Sequence, residues 1–210
     1  MRPEEIVRLR EALAGPLPGH DAFLEVSGYK RPDIEAVLRQ RPAPRESAVL
    51  VLFYPRRDEL HTLLMRRPPY DGVHGDQVSF PGGRREEQDR DLVMTAVREF
   101  TEEVGVVPRG LDVLGALSRV YIPPSRSLVT PYVALAEEPG PFAPDQREVA
   151  ALIETPVREL LRDDILKQGD RYVQVLGRRA TVPYFDVQGQ VVWGATAMML
   201  AELRQLLGVS

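Results

Sequence analysis

A chain of 210 residues, 43% apolar and 28% charged, has the composition of one globular domain with an extension rather than of a disordered tail. Its net charge of −4 lacks the basic excess of a nucleic-acid binder, and the absence of cysteine excludes disulfides, zinc–thiolate sites and thiol nucleophiles. Met1-Arg-Pro-Glu-Glu has no apolar leader core and no apolar run nears the ~20 residues that span a bilayer, so a cytoplasmic protein with no membrane partner is expected.

In chain order, Pro3 to Ala14 reads as an amphipathic helix with Ile6, Leu9 and Leu13 on one side, ended by Gly15-Pro-Leu-Pro-Gly. Asp33 to Gln40 reads as a second short helix, and Arg41-Pro-Ala-Pro-Arg as a stiff linker. Residues 1–44 are therefore expected to be a helical extension packed on a main domain of residues 45–210. Ser47 to Tyr54 is nearly all apolar, as in a strand buried on both faces. A turn at Asp58-Glu59 leads into a hairpin partner from Leu60 to Met65. A long loop, Arg66 to Gln77, precedes the sharp break at Phe80-Pro-Gly-Gly, and Asp91 to Val104 is the strongest helix, capped by Gly105. Strands are expected at Leu111–Leu117, Leu128–Ala136, Tyr172–Val175, Ala180–Phe185 and Val191–Trp193, with helices at Thr155–Leu161 and Thr196–Leu207. Strands and helices mix without regular alternation, so the fold class is α+β, a mixed sheet with helices on both sides.

On a wheel of about 100° per residue, Val93, Val97, Phe100 and Val104 form one stripe, the expected buried face of the strongest helix. Glu99, Glu102 and Glu103 point to the opposite side, and Arg98 stands four residues before Glu102, within pairing reach. Taken alone, such a face is a solvated acidic surface. The Gly-Gly entry lets a loop fold tightly over the helix start. A rigid helix with carboxylates at i, i+3 and i+4 then suits a hard divalent cation.

The stretch Gly83-Arg-Arg-Glu-Glu-Gln-Asp89 … Arg98-Glu-Phe-Thr-Glu-Glu-Val-Gly-Val106 resembles the Nudix box, with one extra residue between Gly83 and Arg98 and with Asp89 where Glu is common. The resemblance implies a Nudix-type α/β/α sandwich with a mixed central sheet. It also implies a Mg²⁺- or Mn²⁺-dependent hydrolase in which Glu99, Glu102 and Glu103 bind the metal and Arg98 orients them. Glu148, in Arg147-Glu-Val-Ala-Ala-Leu-Ile-Glu-Thr-Pro, is similar to the later carboxylate that often serves as a ligand or base, and as a bare residue it reads equally as a surface glutamate.

The segment before the box is similar to the coenzyme A pyrophosphatase branch, on Leu63-Leu-Met-Arg-Arg67 and His74-Gly-Asp-Gln-Val-Ser-Phe-Pro-Gly-Gly83. It departs at Pro68, at Gly72 (where the branch carries Arg) and at Asp76. The tail Trp193-Gly-Ala-Thr-Ala also resembles that branch, and Trp193 could stack on a flat ligand, with a core aromatic as the favoured reading. The resemblance implies Arg66, Arg67, His74, Gln77, Phe80, Gly82 and Gly83 as substrate contacts. Coenzyme A or an acyl derivative, cut to 3′,5′-ADP and 4′-phosphopantetheine, is then the expected substrate, with ADP-ribose, NADH or a dinucleotide as the alternative. Members of this family often dimerise, which leaves a homodimer open. A non-catalytic nucleotide-binding module would commonly have lost the glutamates that this chain keeps.

Overall fold

The computed structural model describes residues 3–28, 32–69, 77–137 and 139–208. The chain opens with α1 (Pro3–Ala14), α2 (His20–Leu24) and α3 (Ile34–Leu38), the last capped by the Asp33 side chain on the Ala36 N–H. A hairpin of β1 (Arg45–Arg56) and β2 (Glu59–Arg66) follows. Its two-residue turn is Arg57-Asp58, both at positive φ, one step earlier than the sequence suggested. Short strands β3 (Val78–Ser79) and β4 (Gly82–Arg84) lead to α4 (Leu92–Val104). Then come β5 (Asp112–Ala116), β6 (Val120–Ile122), β7 (Ser127–Leu135), β8 (Ala151–Pro156) and α5 (Val157–Leu160). The chain continues through β9 (Leu166–Val173), β10 (Arg178–Val187) and β11 (Gln190–Val192) and closes with α6 (Gly194–Leu206).

The main sheet runs β3-β2-β1-β7-β5, with β4 also on β1, β6 on β7 and β8 on β2. The β1–β7 pair is parallel and its neighbours are antiparallel, so the sheet is mixed as expected. Alternation along β1 splits the core in two. Ala48, Leu50, Leu52 and Tyr54 pack with Ala96, Phe100 and Val104 of α4, while Val51 and Phe53 pack with α6, α1 and α2 through Met199, Leu200, Leu9 and Phe23. The expected α/β/α layering is the result.

Several elements differ from the sequence reading. The segment 155–161 is not one helix: Thr155 and Pro156 end β8, which pairs with β2, and only Val157–Leu160 is helical. The main sheet sequesters Thr155 and Ile153, and this pairing overrides any local helical tendency. Instead of a strand at 172–175, β9 ends at Val173 and residues 174–176 form a 3₁₀ turn. β9, β10 and β11 form a separate antiparallel sheet, and α2 and β6 were not anticipated. Among the described residues no helix is long and apolar enough to cross a membrane.

Candidate active site

Helix α4 is held at both ends. The Asp91 side chain accepts from the Met94 N–H at its start, and Gly105 takes a left-handed φ of 76° at its end. The buried stripe of α4 is turned from the one read off the wheel. Val93 and Val97 are only half-buried, while Ala96, Phe100, Glu103 and Val104 are buried. The physical reason is that α4 meets two surfaces, β1 beneath it and β4 beside it, so the covered arc is wider than one apolar stripe. Glu103 therefore does not share the exposed face of Glu102.

Glu103 is 1% exposed. Its Oε1 accepts from Arg67 Nη2 at 2.9 Å and its Oε2 from the Gly82 N–H at 2.7 Å. Burial pushes its carboxyl up to about 7, against the opposing pull of Arg67 and the Gly82 N–H. Glu99 lies one turn earlier, also raised by burial, with the Glu102 and Glu148 charges adding to the effect. A Cβ on Gly83 would sit 2.3 Å from a Glu99 oxygen, so any side chain here would displace the end of this carboxylate. Glu102 is turned outward and exposed.

Arg98 is fastened mainly to Asp89, which it grips through Nε–Oδ1 and Nη2–Oδ2 at 2.9 Å each. Asp89 also accepts from Thr95 Oγ1 and the Glu86 N–H, and these contacts hold it well below the usual carboxylate range. The other guanidinium nitrogen, Nη1, reaches Glu99 at 3.1 Å and Glu102 at 3.0 Å. The orienting role implied for Arg98 thus has a buried anchor, and Asp89 was visible in the sequence only as a departure from the box.

Glu148 is exposed, yet it lies near enough to raise both Glu99 and Glu103. Its segment is docked on the end of α4: the Ala143 N–H donates to Val104 O and the Asp145 N–H to Glu103 O. A Cβ on Gly105 would meet Ala143 O at 2.0 Å, so this close approach needs glycine.

All the donors gathered here are carboxylate oxygens, which suits a hard divalent cation. Both Glu103 oxygens are already hydrogen-bonded, but each keeps a second lone pair. Among the described residues, no three acidic or histidine side chains converge on one point as they stand. Glu102 would have to release Arg98 to join Glu99 and Glu103.

On the other face of β1 and β4 opens a cleft of about 650 Å³. Arg67, Gln77, Phe80, Gly82 and Gly83 line it, so the glycine pair and Arg67 border both the carboxylates and the cleft. Arg66 does not line it, because the next position on a strand points the other way. His74 lies outside the described residues. Sequence reading missed Tyr172, which is exposed, and misplaced Trp193, which is half-buried on the cleft wall rather than in the core. The Ser79 hydroxyl, also on this wall, is buried with no hydrogen-bond partner among the described residues.

The family model of the NUDIX domain matches residues 44–176. A protein from Cronobacter sakazakii described as an uncharacterized Nudix hydrolase, NudL, is 34% identical over 198 residues, covering 90% of this chain and 94% of that protein. The mitochondrial Nudix hydrolase 15 of Arabidopsis thaliana is 30% identical over 164 residues, 75% of this chain and 56% of its own length. A solved Nudix hydrolase from M. smegmatis, RenU, aligns with a TM-score of 0.49 at 20% identity, covering 78% of this chain and 85% of its own.

Proposed function

The chain belongs to the Nudix hydrolase family, enzymes that act on pyrophosphate bonds and generally use divalent metal cations, and from that premise we propose that it is a Mg²⁺- or Mn²⁺-dependent hydrolase of coenzyme A or its acyl derivatives, releasing 3′,5′-ADP and 4′-phosphopantetheine. The observation that carries this reading is the junction at β4: the same Gly82-Gly83 backbone touches Glu103 and Glu99 on one side and lines the cleft on the other. A diphosphate laid along the cleft at this point would lie beside the carboxylates.

Glu99, Glu102 and Glu103 are the residues we assign to hold the ion, with Glu148 completing the set or accepting the water's proton. When bound, the ion would neutralise diphosphate charge and sharpen a water nucleophile. Arg98, gripped by Asp89, fixes the direction of Glu99. Arg67 fixes Glu103 and presents its guanidinium at the cleft. Trp193 and Tyr172 offer flat surfaces for a nucleobase, which suits a nucleoside diphosphate derivative. The cleft lies within the range of ~300–1,000 Å³ common for small-molecule sites.

The test is turnover of a panel containing coenzyme A, ADP-ribose, NADH and diadenosine tetraphosphate with Mg²⁺ or Mn²⁺, products being identified by mass. Coenzyme A should yield 3′,5′-ADP and 4′-phosphopantetheine. Good cleavage of another member with coenzyme A left intact would remove the substrate assignment and keep the chemistry. Glu102→Gln should abolish turnover and keep the circular-dichroism spectrum; surviving hydrolysis would remove the metal assignment.

A further inference from the structure

Strand alternation gives β4 two functions. Gly83 faces Glu99, so its neighbour Arg84 points to the opposite face, where it lines the cleft. Arg84 pairs across the strands with Ser47 of β1, and Ser47 stands in register with Val129 of β7. Ser47, Val129 and, two residues before Val129, Ser127 all line the cleft as well. Three adjacent strands, spaced ~4.8 Å apart, thus present one guanidinium and two hydroxyls to one end of the cleft. Arg45 precedes Ser47 by two residues on the same face and adds a second exposed guanidinium.

Other arginines nearby are engaged: Arg67 with Glu103, Arg85 with Glu46, Arg98 with Asp89, and Arg126 with the Pro42 carbonyl. Arg84 and Arg45 have no side-chain partner among the described residues, and neither do the hydroxyls of Ser47 and Ser127. Glu46, the nearest acidic residue on β1, points to the other face and is taken by Arg85. A lining of cations and hydroxyl donors with no anion of its own is built for a phosphate.

We infer that Arg84, with Arg45, Ser47 and Ser127, forms an anion subsite for a phosphate monoester that is not cut, set apart from the carboxylates by the thickness of β4. This rests on the nucleoside diphosphate reading of the cleft and narrows it to substrates whose nucleoside carries an additional phosphate, as the 3′-phosphate of coenzyme A does. Arg84 then selects the substrate and takes no part in bond cleavage.

Coenzyme A and dephospho-coenzyme A differ only by that phosphate, so their kcat/KM ratio reads the subsite directly. Arg84→Gln should lower the ratio roughly tenfold, the value of one charge-assisted contact, through KM for coenzyme A, and Arg84→Lys should recover part of it. A parallel fall for both substrates, or no change for either, would overturn the subsite. A wild-type enzyme that cleaves neither compound removes the coenzyme A reading alone. The subsite is then decided by calorimetry with adenosine 3′,5′-bisphosphate and 5′-AMP. A preference for the bisphosphate that Arg84→Gln erases supports it, and equal binding by the wild type overturns it.

Discussion

The two faces of β4 are opposites. On the α4 side the groups are mostly spoken for: Glu103 is held by Arg67 and Gly82, Asp89 by Arg98, Thr95 and Glu86, and even Gly83 is shaped by Glu99. On the cleft side some polar groups, notably the Arg84 guanidinium and the buried Ser79 hydroxyl, stand without partners among the described residues. The contrast has a physical meaning. Carboxylates that must be kept close together need internal counter-charges and hydrogen bonds to stay in place. A surface that binds a polar ligand keeps donors unsatisfied, because the ligand supplies the acceptors.

The two glycines test the contrast most sharply. Gly83→Ala would push a Cβ into the end of the flexible Glu99 side chain, so the fold should survive while activity falls about 10²-fold, the cost of ångström-scale misplacement at a reacting centre. Gly82→Ala instead meets the Ala48 carbonyl at 2.3 Å and Val49 Cα at 2.5 Å, at a φ of 152°, and should destabilise by roughly 1–3 kcal/mol. Melting curves beside kinetics separate the two; a Gly83→Ala protein with full activity would dismiss the close fit of Glu99.

Next in size is a pH effect of the crowded face. The folded-state pKa of Glu103, about 7, lies above the ~4.3 of an exposed glutamate. Its neutral form is favoured by folding, so this stabilisation is fully present below about pH 4 and is lost as pH rises through 7. The metal-free protein should therefore lose about 2–3 kcal/mol between pH 5 and pH 8 from this group. Asp89, held low, acts in the opposite sense: its contribution persists at neutral pH and is lost only in acid. Millimolar Mg²⁺ should raise Tm more at pH 8 than at pH 5, and an equal rise at both would contradict an ion seated against Glu103.

Asp89→Asn weakens the anchor without touching a proposed ligand. It should cost roughly 10–100-fold in metal affinity or turnover, as loss of a group that orients ligands does, and activity should recover in part at high Mn²⁺. On the cleft side, Trp193→Ala should raise KM about tenfold with kcat largely kept, since base stacking contributes ~1–3 kcal/mol. A fall in kcat with KM unchanged would return Trp193 to a packing role.

Local order was the readable part of the chain. Gly105 ends α4 by the left-handed cap that its sequence position suggested, and the apolar run from Ser47 became a strand buried on both faces because both layers need it. Arg98, Glu99 and Glu102 came together at helical spacing, which depends only on 3.6 residues per turn. β8 was unreadable because Ala151–Pro156 becomes a strand by pairing with β2, ninety residues earlier in the chain.

The sequence by itself thus determined the α+β class, the acidic helix and the box that places the chain in its family, since these rest on short-range periodicity and spacing. Tertiary structure alone decided the burial of Glu103, the grip of Asp89 on Arg98, the nearness of Glu148, and the exposure of Arg84, Tyr172 and Trp193 to one cleft. Each of those depends on which strand lies beside which, and on a face of β4 that no residue of β4 encodes alone.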